Sequence, residues 1–231
     1  MQKKLGEANI VLALSLVGIF GAIITIISDL ILLGKPSNGY LFFQLGTETM
    51  ADLAPWRITW GTFLGVVALP FQTFGLVPLY VGLKPSGRVL PIIVVVMNAH
   101  ALLMGVAFHM QYAFIGSGWR LHYNADPGNT ITSEMVSKFD SYWKILIIIM
   151  LIEILLSSSI YVWILLKRNT LFPKWMAALN PLCIVFFILP IIIIIPAPAG
   201  GYIAPAILNL STIVFIILSM TIVTKKLRIK N

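Results

Sequence analysis

Polar side chains lie within long apolar segments of this sequence, and the chemistry of seven of them is the main indication of function. The set combines two carboxyl groups, two imidazoles and three carboxamides: Asp29, Gln72, Asn98, His100, His109, Glu153 and Asn209. Carboxyl groups and imidazoles exchange protons, and carboxamides both donate and accept hydrogen bonds. Such groups are costly in hydrocarbon, so they usually face the interior of a helical bundle. We therefore take these seven as candidate ligand-binding residues.

Depth along the predicted helices divides the candidates into two groups, at ~1.5 Å of rise per residue. Asp29, His109 and Asn209 fall in the outer third of the membrane and are predicted to form one cluster. Glu153 lies near the middle, where a carboxyl must be protonated, paired or hydrated. A second cluster is therefore predicted around Glu153.

Helical periodicity separates the two membrane histidines. Asn98 and His109 lie on one face of their helix, and His100 lies nearly opposite. At most one of the two histidines can therefore share the site of Glu153, and depth favours His100 and Asn98 as its partners. The carboxamides also have a structural interpretation, since Asn and Gln commonly bridge membrane helices.

Signatures of established catalytic and metal sites are absent from the sequence. The three histidines, His100, His109 and His122, form neither an HExxH motif nor an i, i+4 pair, so we predict no metal site. The single cysteine, Cys183, permits no intrachain disulfide. The chain contains no G-x-S-x-G segment, phosphate-binding loop or dinucleotide fingerprint, so we predict no cofactor and find no positive indication of an enzyme.

Long apolar segments surround these residues and predict a membrane protein. Hydrophobic residues make up 59% of the 231-residue chain and charged residues only 10%, and the mean hydropathy is +0.96. A helix needs about 20 apolar residues to cross ~30 Å of hydrocarbon. We therefore predict an all-α, polytopic transmembrane helical bundle, with residues 1–231 forming a single transmembrane domain. The six predicted spans are residues 9–34, 58–83, 89–115, 141–166, 175–195 and 203–224.

Polar and turn-forming residues connect the predicted spans. The N-terminal apolar run is too long for a signal peptide and lacks a small-residue cleavage site, so we predict that it is retained as the first span. Residues 84–88 and the sequence PAPAGGY form short turns. The two longer connections, residues 35–57 and 116–140, are each predicted to carry a short interfacial helix or an ordered cap.

The basic residues predict the orientation of the chain. The side with both termini carries Lys3, Lys4, Lys84, Arg88, Lys167, Arg168, Lys174, Lys225, Lys226, Arg228 and Lys230. The other side carries Lys35, Arg57, Arg120, Lys138 and Lys144, beside Glu48, Asp52, Asp126, Glu134 and Asp140. The positive-inside rule therefore places both termini in the cytoplasm. This asymmetry also explains the net charge of +8, so we predict membrane lipids and no nucleic acid as partners.

Two segments carry a distinctive combination of Trp, Pro and Gly residues. They are WRITWGTFLGVVALPFQTFGLVPLYVGLKPSG, which begins at Trp56, and IIPAPAGGYIAPAILNLSTIVFIILS. Their distinguishing features are Trp60, Gly61, Pro70, Lys84–Pro85, Gly200, Gly201, Pro205 and Asn209. The combination resembles a bacterial family of six-span membrane proteins of unknown function. The resemblance covers the chain from Trp56 onward and implies the six-span fold and the bacterial inner membrane, but no activity.

The predicted function is binding or transport of a small lipophilic or cationic molecule in an intramembrane cavity that opens outward. The carboxyl groups of Asp29 and Glu153 suit a cation or a proton, and we predict protonation-linked binding with Glu153 as the central group. One alternative is a membrane-embedded enzyme that acts on a lipid or isoprenoid with a carboxyl–histidine acid–base pair. The other is a non-catalytic immunity or assembly protein with a fully packed interior.

Overall fold

The structure, a computed structural model, describes residues 2–125 and 130–229, and within them the chain forms helices and no β-strand. The α-helices are α1 (Gln2–Leu33), α2 (Gly39–Phe42), α3 (Pro55–Gln72), α4 (Val77–Leu83), α5 (Val89–Asn124), α6 (Thr130–Lys167), α7 (Pro181–Ile194), α8 (Ala199–Ile203) and α9 (Ile207–Ile229). Short 3-10 helices cover Thr47–Asp52, Thr73–Leu76, Lys84–Ser86, Lys174–Leu179 and Ala204–Ala206. Asp126, Lys230 and the side chains of Lys3 and Lys4, which contributed to the predicted orientation, lie outside the described part.

Five helical segments of the described chain are long and apolar enough to cross a bilayer. They are Leu5–Leu33, Pro55–Ser86, Val89–Asn124, Thr130–Lys167 and Ala199–Ile229. This is the arrangement of a multi-pass membrane protein, and it agrees with the predicted all-α fold. The remaining predicted span corresponds to the shorter apolar helix α7, whose 14 residues rise by about 21 Å.

Most of the second long connection, residues 116–140, is helical, but it extends two long helices where we predicted a short interfacial helix or an ordered cap. α5 continues to Asn124 and α6 begins at Thr130, so both helices extend beyond their predicted spans. The two extensions pack on each other, since a Cβ added at Gly118 would lie 3.0 Å from Cγ2 of the buried Val136. This mutual packing stabilises helical structure in a segment whose polar composition predicts a loop.

The helix of the fifth predicted span, α7, begins at Pro181, six residues after the predicted start of the span at Trp175. Asn180 caps the helix by accepting a hydrogen bond from Cys183 N at 3.1 Å. Pro181 has no backbone N–H and cannot continue a preceding helix in register. Residues 174–179 therefore form a separate 3-10 helix, and Asn180 is a helix cap.

A proline interrupts the crossing Ala199–Ile229 and redirects backbone hydrogen bonds. Pro205 cannot donate to the carbonyl of Gly201, one turn earlier, because proline has no N–H. That carbonyl instead accepts from Lys35 N at 3.2 Å, and Gly201 N donates to Ser37 O at 2.7 Å. The segment that follows α1 is thereby bonded to the turn that precedes α9. A backbone group freed inside a membrane protein requires such a partner.

Two clusters of buried apolar residues mark the two ends of the bundle. One combines the beginnings of α1, α5 and α7 with the ends of α4, α6 and α9, as in Ala8, Val94 and Leu227. The other combines the end of α1 with the beginning of α3, and includes Leu32 and Ile58. We call these ends the termini side and the loop side. α1 therefore begins on the side where α9 ends.

The end of α1 is held by Arg57 on the loop side. Its Nε donates to Ile31 O at 2.7 Å, and one terminal nitrogen donates to Gly34 O. We expect Arg57→Met to lower the free energy of unfolding by about 1–3 kcal/mol, since two carbonyls lose a charged donor. Thermal denaturation in detergent measures the change. Arg57→Lys should recover only part of it, because an ammonium lacks the planar fork of a guanidinium; an unchanged midpoint in both variants would contradict this role.

Candidate functional site

Three of the predicted residues, Asp29, His109 and Asn209, meet where α1, α5 and α9 approach one another. Asn209 donates from Nδ2 to Asp29 Oδ2 at 2.7 Å. At the other carboxylate oxygen, His109 Nε2 lies 3.3 Å from Asp29 Oδ1. All three residues are buried, with at most 9% of their surface exposed. Both oxygens of the carboxylate therefore have a nitrogen partner, each from a different helix.

Gln72 connects this group to α3. Its Nε2 donates to Asn209 Oδ1 at 3.0 Å and to Thr25 Oγ1 at 2.8 Å. The Thr25 hydroxyl donates in turn to Gly21 O at 2.9 Å, so its hydrogen is already used. These bonds orient the Asn209 amide, with its oxygen accepting and its nitrogen donating. We call the following four residues the polar cluster: Asp29, Gln72, His109 and Asn209.

Local helix geometry brings the polar cluster together. Asp29 lies one turn beyond Thr25 on α1, so both side chains point to the same face. Gln72 ends α3 at the point where the helix tightens into the 3-10 segment Thr73–Leu76. Gly65 leaves space for the His109 ring, since a Cβ at that position would lie 2.6 Å from Cε1. A glycine on α3 therefore determines where the imidazole can sit.

Two buried atoms of the polar cluster have no hydrogen-bond partner among the described residues, His109 Nδ1 and Gln72 Oε1. Most buried polar atoms in proteins are bonded, and exceptions accompany bound water, bound ions or a functional role. His109 Nδ1 lies against Gly65, and Nε2 is the ring nitrogen that faces Asp29. The cluster thus has more hydrogen-bonding capacity than its own members use.

The polar cluster forms one wall of a cavity of about 150 Å³. Asp29, His109 and Asn209 line it, together with Asn98 toward the termini side. The remaining lining is mostly apolar and comes from α5 and α6 on one side and α7 and α9 on the other, including Phe108, Met150, Leu182, Val185 and Phe215. An apolar space with a few convergent polar groups is the usual form of a small-molecule site.

The charge of the polar cluster depends on one proton. With the proton on His109, imidazolium and the Asp29 carboxylate neutralise each other across 3.3 Å. Without it, a single negative charge remains in apolar surroundings, where an unpaired charge is costly. A cation placed in the cavity can therefore replace the proton as the partner of the carboxylate.

A second chamber, of about 290 Å³, lies on the loop side of the first. The two share a wall formed by Leu33, Phe108, Tyr112, Pro205 and Leu208. The residues of the second chamber that come from the first long connection and from α6 include Lys35, Phe42, Phe43, Met50 and Trp143. None of these residues was predicted to belong to the site, although a lysine and an aromatic pair follow the end of the first predicted span and were a visible signal.

Lys35 is the charged residue of this loop-side chamber. Its Nζ donates to the carbonyl of Thr49. Burial lowers the pKa of the Lys35 ammonium below its usual range, and the neighbouring Asp52 carboxylate offsets part of that effect. The basic side chain therefore helps to hold the connection in place over the chamber.

Glu153 and His100 form a separate pair outside the cavity. His100 Nδ1 lies 2.7 Å from Glu153 Oε1, so the predicted partnership of these two residues is observed. The His100 side chain is 56% exposed on the outer surface of the bundle, and neither residue lines the cavity. Asn98, the other expected partner, instead donates to Val94 O at 2.8 Å within its own helix. Asp29 is therefore the carboxyl group that lines the cavity, whereas Glu153 lies outside it.

Metal-ligand side chains are sparse at the site. Asp29 and His109 are of the right type, and across residues 2–125 and 130–229 no three His, Cys, Asp or Glu residues are grouped so that they could hold a metal ion. The polar cluster is thus a carboxylate–imidazole pair supported by two carboxamides.

The fold and the site define a class: a multi-pass helical membrane protein with a polar cluster buried beside an apolar cavity. The chain belongs to DUF6796, a family of unknown function, whose model matches residues 1–226. This membership agrees with the resemblance to a family without an assigned activity. No curated protein and no solved structure matches the chain.

Proposed function

We propose that this protein binds a small lipophilic molecule with a cationic group in the cavity beside the polar cluster. The observation that carries the proposal is the position of Asp29, His109 and Asn209 on the wall of an otherwise apolar space. The apolar lining favours the body of the ligand, and the carboxylate favours its charge. Phe108 and Tyr112, which line both chambers, offer aromatic faces to a cation as well.

Binding by ion replacement follows from the charge of the polar cluster. Where His109 carries a proton, the cation takes its place beside Asp29 and that proton leaves as the ligand enters. Asn209 and Gln72 keep the carboxylate oriented during the exchange through the bonds at 2.7 Å and 3.0 Å. The alternative of an acid–base enzyme has less support, because His109 Nδ1 lies against Gly65 and Nε2 faces Asp29.

The proposed setting is the bacterial inner membrane, with six crossings and both termini in the cytoplasm. Support for a sixth crossing comes from α7, whose Ile184 packs in the termini-side cluster. At its other end, Ile195 O accepts from Gly39 N on the loop side at 3.1 Å. The helix therefore runs between the two ends of the bundle in spite of its length. Thinning of the bilayer accommodates a short crossing at modest cost.

A matched pair of probes tests the proposed binding. Benzyltrimethylammonium is a small aromatic cation, and neopentylbenzene has the same shape without the charge. We expect Asp29→Asn to weaken binding of the cation by about tenfold or more, because a neighbouring charge is worth several kcal/mol at an effective dielectric constant of about 20. Affinity for the neutral probe should stay within about twofold, since the cavity keeps its shape. Isothermal titration calorimetry in lipid nanodiscs measures both.

Glu153→Gln provides the control for that experiment. It removes the other carboxyl group that the sequence places in a span, but at a position outside the cavity. We expect it to leave binding of the cation within about twofold of the unmodified protein, since the sites are separate. Absence of cation binding, or an equal loss in both variants, would overturn the proposal.

A further inference from the structure

A third, smaller space lies on the termini side of the cavity. It has a volume of about 10 Å³, close to what a single water molecule needs. Its lining includes the polar residues Asn98, Ser157, Ser158 and Tyr161. Tyr161 is 2% exposed, and its hydroxyl has no hydrogen-bond partner among the described residues. A polar space of this size with an unbonded hydroxyl is suited to a water molecule.

The three spaces follow one another across the bundle. The small space shares Asn98, Pro181 and Phe215 with the cavity beside the polar cluster. That cavity in turn shares a wall with the loop-side chamber. Along α5, the rise from Asn98 to His109 is roughly 16 Å. The spaces therefore extend from the loop side, past the polar cluster, toward the termini side.

Aromatic side chains close this series at the termini side. The Tyr161 ring packs edge-on against Phe215, with centroids 5.8 Å apart, and against Phe172, with centroids 6.1 Å apart. Beyond the ring lies the apolar termini-side cluster, which includes Leu83 and Met176, both fully buried. Ser157 and Ser158 lie one turn before Tyr161 on the same face of α6, so the small space ends at the tyrosine.

We propose that the three spaces form one transmembrane path for the ligand, closed on the termini side by Tyr161. This inference rests on the proposed function and extends it from binding to transport. The structure then corresponds to one of the two states of alternating access, with the site reachable from the loop side only. In the other state the Tyr161 ring leaves Phe215 and Phe172.

Thiol accessibility tests the path without requiring the natural ligand. Cys183 is the single cysteine, so Cys183→Ala provides a thiol-free background. Ser158→Cys then places a thiol in the small space, and Leu208→Cys places one on the wall shared by the two larger chambers. The probe is a trimethylammonium-ethyl methanethiosulfonate, a small cation that does not cross lipid. It is applied separately to each side of sealed vesicles.

The expected result depends on the tyrosine. The thiol from Leu208→Cys should react from the loop side, and the thiol from Ser158→Cys should react slowly from the termini side. Tyr161→Ala should raise that slow rate by about tenfold or more, as removing a large ring opens a cavity. Tyr161→Phe, which keeps the ring, should leave it within about twofold. Equal rates for Tyr161→Ala and the unmodified tyrosine would overturn the proposal.

Folding of the variants is checked in the same experiment. Loop-side labelling at Leu208→Cys should be unchanged by Tyr161→Ala; if it is lost, Phe215→Ala opens the same contact from α9 and replaces the variant. A termini-side rate that neither substitution raises contradicts the path. If labelling at Ser158→Cys depends on Tyr161 but the cation does not bind, the proposed ligand is rejected and the path is retained. Cation binding without labelling that depends on Tyr161 would retain the proposed ligand and reject the path.

Discussion

Asn209→Leu is expected to lower the free energy of unfolding by about 1–3 kcal/mol. Leucine has nearly the same shape, but it cannot donate to Asp29 Oδ2 or accept from Gln72 Nε2. A buried polar atom left without a partner costs more than its hydrogen bond contributed. The midpoint of thermal denaturation in detergent measures the loss.

Replacing the whole polar cluster should reverse that effect. Apolar residues of similar volume are often as stable as a buried ionic group, or more stable, because no charge has to be desolvated. We therefore expect the combination of Asp29→Leu, Gln72→Leu, Asn209→Leu and His109→Phe to denature at or above the temperature of the unmodified protein. It should bind no benzyltrimethylammonium. A combined variant less stable than Asn209→Leu alone would mean that the cluster is kept for stability.

Gly18→Leu is expected to lower stability by about 3 kcal/mol or more, the largest effect of any single substitution considered. A Cβ at Gly18 would lie 2.5 Å from Gly75 Cα, so a side chain meets backbone and cannot be accommodated by a rotamer change. α1 and the crossing that contains α3 and α4 would have to separate. The fraction of monodisperse protein in size-exclusion chromatography and the denaturation midpoint report the change.

Gly6→Leu is the matched control for this substitution. It makes the same change in the same helix, at a position where no atom of the described residues lies within 4 Å of an added Cβ. Since glycine in a helix costs about 0.5–1 kcal/mol, the control should leave stability unchanged or raise it slightly. Equal losses in the two variants would show that the close approach of Gly18 and Gly75 is not what limits stability.

Helical regularity explains why one cluster could be predicted from the sequence. A constant rise and a fixed angle per residue place Asp29, His109 and Asn209 at similar depth, and the structure joins them directly. Which of the two histidines faces the interior of the bundle could not be predicted, since they lie on opposite faces of α5. That choice depends on Gly65 of α3, which leaves room for His109. It is a tertiary contact that periodicity alone does not reveal.

The position of Glu153 was not predictable for a related reason. Depth correctly paired it with His100, but depth does not say which face of a helix pair points inward. α6 packs chiefly along α5, so the His100–Glu153 pair lies on the outer surface of that pair of helices. Asp29 lies on α1, which packs chiefly against α3 and α9, and its side chain lines the cavity.

Helix ends were less predictable than helix identity. Hydropathy marks where a chain leaves the hydrocarbon, whereas α5 and α6 continue as long as they can pack on each other. Asn180 and Pro181 mark the start of α7 by local rules, but an uninterrupted apolar run beside them predicts a longer span.

The bond between Asp29 and Asn209 has a consequence for biosynthesis. The two residues are 180 positions apart, so at about 5–20 residues per second a ribosome makes the first roughly 10–40 s before the second. Once Gln72 has also been made, the nascent bundle contains Asp29 and Gln72 without the Asn209 carboxamide that connects them. A chain that stalls before α9 therefore lacks the bonds from Asn209 to Asp29 and Gln72. Insertion of α9 therefore completes the helical bundle and the polar cluster in one event.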